Sequence, residues 1–230
     1  EWKPVEYSGT YGNNGFYLPF KQDYTVEGFS TITWKGNSTN NRYFGGTGFK
    51  PDLIWAKARS IGYSGSIYDS VRGYDRHHLV PSTTEAENGG NHVYGGIASS
   101  SADGFTTFVG TDGGNPYANH NEDGKTYVAW NWDMGADTPT GFGCVTYTGN
   151  GTTGQTIGGV GFQPDFLWIK NRTDGDSSFL YDAVRGAKNY LQSDAASAQA
   201  TTNQMTAFNP DGFTVDEDGG SATNDDGDNF

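Results

Sequence analysis

From Leu53 to Arg59 the side chains alternate with a period of two. Leu53, Trp55, Lys57 and Arg59 fall on one face of an extended chain, and Ile54, Ala56 and Ala58 on the other. Pro51 stands just ahead, where a residue without an amide proton can open a strand but could not sit in its middle. The pattern predicts a strand over Pro51 to Arg59. Both faces are apolar at its start and one turns basic toward its end, which suits a strand of a two-sheet sandwich that emerges near the rim. Shorter alternating runs predict further strands over Phe29 to Trp34, Ile67 to Val71 and Asp103 to Phe108. A last one runs over Tyr127 to Trp132, where Tyr127, Ala129 and Asn131 alternate with Val128, Trp130 and Trp132. Gly, Asn and Asp separate the runs, and Tyr11-Gly12-Asn13-Asn14-Gly15 predicts a hairpin turn. Helical spacing is scarce: only the Ala-rich Asp194 to Thr201 predicts a short helical turn. The fold class is all-β.

The pattern then recurs. Gly28 to Gly73 aligns without a gap onto Gly141 to Gly186 at an offset of 113, with 22 of the 46 positions identical. Pro51-Asp52-Leu53-Ile54-Trp55-Ala56-Lys57-Ala58-Arg59 returns as Pro164-Asp165-Phe166-Leu167-Trp168-Ile169-Lys170-Asn171-Arg172, and Tyr68-Asp69-Ser70-Val71-Arg72-Gly73 as Tyr181-Asp182-Ala183-Val184-Arg185-Gly186. Leu180 to Val184 and Val145-Thr146-Tyr147 are the expected strand counterparts in the second copy. Asp103-Gly104-Phe105-Thr106 pairs with Asp211-Gly212-Phe213-Thr214, and Asn121-Glu122-Asp123-Gly124 with Asn224-Asp225-Asp226-Gly227. The expected organisation is a lead-in over 1–27, a first sandwich over 28–135, a linker over 136–140 and a second sandwich over 141–230. The second copy stops where the first runs on into Val128-Ala129-Trp130-Asn131-Trp132, so its last strand is expected to lie in a longer polypeptide or to come from a neighbouring chain. The opening Glu1 likewise suggests a processed or partial chain.

Composition narrows the function. Each copy of about 100 residues is long enough to bury its own core. Aromatic residues at 15% separate the chain from disordered sequences of similar polarity. A net charge of −13 with no Lys/Arg-rich stretch argues against nucleic acid as a partner. No apolar run approaches the ~20 residues of a membrane-spanning helix. Cys144, the one cysteine, excludes an intrachain disulfide and aligns with Thr31, which predicts a small half-buried residue.

The charges kept in both copies are Lys57, Arg59, Asp69 and Arg72, with Lys170, Arg172, Asp182 and Arg185. They suit either an anion or sugar-acid site, or ion pairs in which Asp69 meets Lys57, Arg59 or Arg72 and fixes a loop or strand register; the second reading is favoured. Motifs retained in two copies of one chain are most simply scaffold. Asp52 and Asp165 are expected to bind turn amides after their prolines. His77, His78, His92 and His120 all lie in the first copy; adjacent His77 and His78 point to opposite faces of a strand, which disfavours a shared zinc ion. Asn119, Asn121 and Asp123 resemble the start of a calcium loop, but Trp130 stands where an EF-hand needs Glu. A looser Ca²⁺ site there or near Asp216-Glu217-Asp218 and Asp225-Asp226-Gly227-Asp228 competes with plain solvated acidic turns. Tyr11, Tyr17, Tyr63, Tyr94 and Tyr117 sit among Gly and Asn, the setting of aromatic platforms for sugar rings or protein surfaces, with core packing as the rival use. No nucleophile elbow, phosphate-binding loop or metalloprotease helix is present, and no catalytic residue is assigned.

The ordered set Phe-x-Pro-Asp-Leu-x-Trp-x-Lys-x-Arg, Tyr-Asp-Ser-Val-Arg-Gly, Asp-Gly-Phe-Thr and Tyr-Val-Ala-Trp-x-Trp resembles an uncharacterised repeat domain of tail-fibre and other virion proteins of marine bacteriophages. Gly12-Asn13-Asn14-Gly15-Phe16-Tyr17-Leu18-Pro19-Phe20 is similar to the segment that often precedes such repeats. The resemblance implies two tandem β-sandwiches, jelly-roll or concanavalin-like, the second lacking its last strand, and it brings no activity. The expected function is a non-enzymatic structural or adhesive component at a virion surface, extracellular, which contacts other virion subunits, other copies of itself or a host glycan. A lectin-like carbohydrate-binding module is the alternative, and a polysaccharide-degrading enzyme ranks third.

Overall fold

The computed structural model describes residues 28–75, 77–88, 91–135, 141–217 and 222–230. The lead-in over 1–27, with its hairpin turn and its Tyr11 and Tyr17, lies outside the described residues, as does the linker over 136–140.

The first copy is a sandwich of seven strands. One sheet runs in the order β1 (Phe29–Lys35), β7 (Thr126–Trp132), β3 (Leu53–Ala58), β4 (Ser66–Asp69), and every pairing is antiparallel. The other runs β2 (Tyr43–Gly45), β6 (Gly104–Phe108), β5 (Gly96–Ser101). First strand pairs with last and second with last but one, the nested winding of a jelly roll. Alternation decides which side chains meet. Ile54, Ala56 and Ala58 of β3 are buried while Leu53, Trp55 and Lys57 stay half-buried outside. The inward residues of one sheet (Trp34, Ile54, Tyr68, Tyr127) close on Phe44, Ile97 and Phe105 of the other. Each such side chain stabilises the fold by roughly 1.5–3 kcal/mol of burial.

The second copy repeats part of the scheme, and adds two strands beyond its β4 counterpart, with β8 (Gln155–Ile157), β9 (Phe166–Lys170), β10 (Ser178–Asp182), β11 (Asn189–Gln192), β12 (Ala200–Thr201), β13 (Met205–Asn209) and β14 (Gly212–Val215). Its sheets are ordered β12-β11-β10-β9 and β13-β14-β8. Ile169, Phe179 and Tyr181 pack on Ile157, Met205, Phe213 and Val215.

Two expected elements are absent. Val145-Thr146-Tyr147 is not a strand; only the bridge from Thr148 to Asn229 forms, because the first copy's equivalent rests along the full length of β7 and here only Asn229 and Phe230 fill that role. Asp194 to Thr201 is not helical and ends in β12, since its alanines are exposed and have no apolar surface to fold against. One 3-10 turn, Asn91–Tyr94, is the sole helix among the described residues.

Candidate functional site

Many of the residues shared by the two copies tie loops, and several make the same bonds twice. Lys57 leaves β3 and donates its ammonium to the carbonyls of Tyr63 and Ala58, binding the loop that follows. Lys170 does the same to the carbonyl of Asp176, and reaches the first copy at the carbonyl of Thr84 (3.0 Å). Burial lowers the Lys170 pKa, partly opposed by nearby Asp194, Asp176 and Glu85.

Asp69 and Arg72 pair within the turn after β4 rather than across strands. The guanidinium Nε lies 2.5 Å from Asp69 Oδ2, and the Arg72 amide donates to Oδ1. Asp182 and Arg185 reproduce both contacts, and Arg72 and Arg185 each donate once more, to the carbonyls of Ile67 and Leu180. The backbone and guanidinium bonds from Arg185 hold the Asp182 carboxyl below its usual range.

Asp103 accepts the amides of Gly46 (3.1 Å) and Gly48 (2.7 Å); Asp211 accepts those of Gly159 (3.0 Å) and Gly161 (2.6 Å), which lower its pKa. Buried Asn121 donates to the carbonyl of Thr39 (2.8 Å) and to Asn37, while its oxygen accepts from Asn37 and from the Arg42 guanidinium. Asn224 mirrors it on Thr152 and Asn150. The motif that resembled a calcium loop is therefore a side-chain peg joining two loops, and the oxygen of Asn121 faces a cation already. Asn119 is buried beside it and Asp123 is exposed. Among the described residues no three His, Cys, Asp or Glu side chains lie close enough to hold a metal ion.

The prolines and their aspartates diverge. Pro51 and Pro164 are both buried. Asp52 accepts from Ser70 Oγ (2.8 Å) and the Met134 amide (3.0 Å), whereas Asp165 is exposed and contributes its carbonyl to the Ala183 amide. Arg59 is exposed at the side chain, but its counterpart Arg172 grips Glu87 of the first copy at 2.8 and 3.0 Å. Glu87 also takes Arg72 at 3.0 Å, so one carboxylate joins a charge from each copy. Burial works against that carboxylate, yet the two guanidinium groups outweigh it and its pKa is lowered. Glu87 lies outside the segments that align between the copies, so nothing in the sequence singled it out. Trp55 and Trp168 meet edge to face across the same boundary at 5.8 Å, and Ser193 Oγ donates to the carbonyl of Pro81.

The three described tyrosines gather around the loop 115–122. Tyr63 donates to Glu122 (3.0 Å) and accepts from Asn115 (3.1 Å); burial and the adjacent Glu122 carboxylate raise its pKa. The Tyr94 carbonyl takes the Asn119 amide, and Tyr117 belongs to the loop itself. Tyr63 and Tyr117 are half-buried, and Tyr94 is about one third exposed (36%). Of the histidines, His77 is exposed near Glu87, and His78 and His120 are buried on either side of Tyr68. Burial, with His78 nearby, pushes the His120 pKa down to about 3.

A groove of about 690 Å³ opens where the copies meet, between the segment 142–147 and β9. In the first copy β7 occupies the corresponding place between β1 and β3. In the second copy Asn229 and Phe230 make contacts equivalent to those of Thr126 and Tyr127. The Arg172 amide donates to Asn229 (2.8 Å) as Arg59 does to Thr126 (2.7 Å), and Phe230 stacks on Tyr147 at 4.9 Å as Tyr127 does on Trp34 at 5.4 Å. Among the described strands β9 is at the edge of its sheet. Its walls combine apolar side chains, among them Val145, Trp168 and Phe230 from the second copy and Trp55 and Trp132 from the first, with charged Asp69, Arg72, Lys170 and Arg172. Cys144 lies in the wall, half-buried, and burial with Asp69 beside it pushes its thiol up to about 12.

Compared with families of known sequence, residues 25–141 and again residues 137–230 match one family model, described as a domain of unknown function (DUF7483). No curated protein and no solved structure matches the chain.

Proposed function

The chain belongs to the DUF7483 family and carries its domain in tandem, and from that premise we propose that it is a non-enzymatic structural module of a virion surface, such as a phage tail fibre. It acts as a stiff spacer that presents loops to neighbouring subunits or to a host surface. One observation carries the reading. Apart from Arg59 with Arg172 and Asp52 with Asp165, the charges retained in both copies make equivalent internal bonds: Lys57 matches Lys170, Asp69–Arg72 matches Asp182–Arg185 and Asp103 matches Asp211. Groups committed to tying loops in two places at once serve architecture. The contacts of Glu87, Lys170 and Ser193 across the boundary then hold successive modules in a fixed relation, as a spacer requires. The net charge of −13 keeps a surface array soluble and spaced by mutual repulsion.

The test is localisation by immunogold electron microscopy on purified particles, with a parallel assay in which the purified chain competes with particle adsorption to host cells. Label at regular intervals along a fibre supports the proposal. A chain missing from particles that neither self-associates nor touches cells overturns it.

A further inference from the structure

We infer that the outer face of β1, β7 and β3 in the first copy binds an acidic polysaccharide, a chain of sugar rings that carry carboxylates. Register and alternation fix what this face presents. Trp34, Ala129 and Ala56 point into the core, so their neighbours along each strand point away from it. Thr31 and Thr33 of β1 lie beside Trp130 and Val128 of β7, and Lys35 lies beside Thr126. On the far side of β7, Arg59 donates its amide to the Thr126 carbonyl. Thr31, Thr33, Lys35 and Arg59 are exposed, and Trp130 is half-buried. The second copy meets the sheet at Trp55.

Charge is the first feature that selects the occupant. The chain carries a net charge of −13, yet the charged side chains directed outward from this part of the sheet are all cations: Lys35, Lys57 and Arg59. Every other repeated cation is tied internally, Lys57 and Lys170 to loop carbonyls and Arg72, Arg172 and Arg185 to carboxylates. Neither Lys35 nor Arg59 has a side-chain hydrogen bond or ion pair among the described residues. They flank β7, about two strand spacings or ~10 Å apart, so one small anion meets one of them and a polymer with repeated carboxylates meets both. The guanidinium of Arg59 presents a fork that matches a carboxylate.

The groups around the cations are the second feature. Thr31 and Thr33 supply hydroxyls that both donate and accept. Trp130, packed on Trp55 at 5.3 Å, supplies aromatic surface for the apolar side of a ring. A sugar chain uses all three kinds of group, whereas an acidic peptide uses the cations alone. The second copy has no such face, because Cys144 and Thr148 stand in the places of Thr31 and Lys35 and Glu87 takes Arg172. One site per chain follows. The inference does not need the virion reading, since the purified chain suffices to test it, and its failure leaves that reading standing.

The test titrates the isotope-labelled 230-residue chain with hexagalacturonate, read by amide chemical shifts and calorimetry. One saturable site is expected, with a dissociation constant of about 1 mM or tighter and shifts confined to 31–35, 57–59 and 126–130. Raising NaCl from about 50 to about 500 mM should weaken binding at least about threefold. Arg59→Gln and Lys35→Gln should each weaken it about fivefold, and Thr33→Asp, which opposes the ligand's charge from an exposed position, about tenfold. Lys188→Gln removes an exposed cation of the second copy and should leave binding unchanged. The fully methyl-esterified hexasaccharide and a hexaglutamate peptide should each bind at least about tenfold more weakly. Equal binding of either one, shifts elsewhere, no effect of Arg59→Gln and Lys35→Gln, or no saturable binding overturns the inference.

Discussion

A buried primary amide is costly unless its hydrogens and its oxygen are all placed. Asn121 places them on Thr39, Asn37 and Arg42, from three sides of one loop junction. Asn121→Ala removes these bonds and leaves the Thr39 carbonyl without its donor. The expected loss is about 3 kcal/mol, read as a shift of the first copy's denaturation midpoint, and Asn224→Ala should repeat it in the second. His120 makes a different prediction. Buried and uncharged, neither of its ring nitrogens has a hydrogen-bond partner among the described residues. Its folded pKa of about 3 lies below its ordinary 6.5, so between those values the unfolded chain binds the proton that the folded chain refuses. Stability therefore falls as pH drops from 6.5 toward 3, by at most about 1.4 kcal/mol per pH unit. His120→Met, similar in bulk and without a charge to gain, should flatten that slope in pH-dependent unfolding. At this scale the sequence named the Asp69–Arg72 pair among its alternatives but did not find what Asn121 does. Asn121 stood out through its echo in Asn224, but its alternating oxygens left a cation site or a solvated acidic turn as the readings, and the loop partners lie 79 to 84 positions away in sequence.

Strands were legible where alternation was long and well flanked. Leu53–Ala58 and Thr126–Trp132 coincide with the predicted runs within two residues. Tyr43–Gly45, Gly96–Ser101 and Gln155–Ile157 were not, because three residues hold too few alternations to register and Ser-rich β5 offers no apolar face beyond Ile97. Glycine explains the rest of this sheet's geometry. Gly104 has φ of +154° and sits so close to β2 that a Cβ there would lie 1.9 Å from the Phe44 carbonyl oxygen; Gly212, with φ of +155°, faces Ile157 at 2.0 Å. Gly104→Ala must push β2 off β6, and the expected cost exceeds about 3 kcal/mol. Limited proteolysis should then cut between Arg42 and Gly48 in the variant and spare the parent.

The two copies meet as partners rather than as beads. Glu87 receives Arg72 from its own copy and Arg172 from the next, so Glu87→Gln should cost about 3 kcal/mol at neutral pH and split a shared calorimetric transition into two. The sign with pH is fixed by the lowered pKa. The carboxylate's contribution is complete above its ordinary value of 4.5 and disappears as pH falls through its lower folded value. Parent and variant should therefore converge in strongly acidic buffer. Tandem organisation was visible in the 22 shared positions, whereas this joint was not, since an unrepeated residue leaves no mark in a comparison of the chain with itself.

The nested winding also sets a timetable for biosynthesis. Among the described residues β1 pairs with β7 alone, which arrives about a hundred residues later, so that pairing waits in a nascent chain while the intervening loops are made. Sequence-distant pairing of this kind is slow and leaves sticky edges waiting. The first module can snap shut only as the opening residues of the second leave the ribosome, which makes premature pausing near Trp132 the moment of greatest danger for the growing polypeptide.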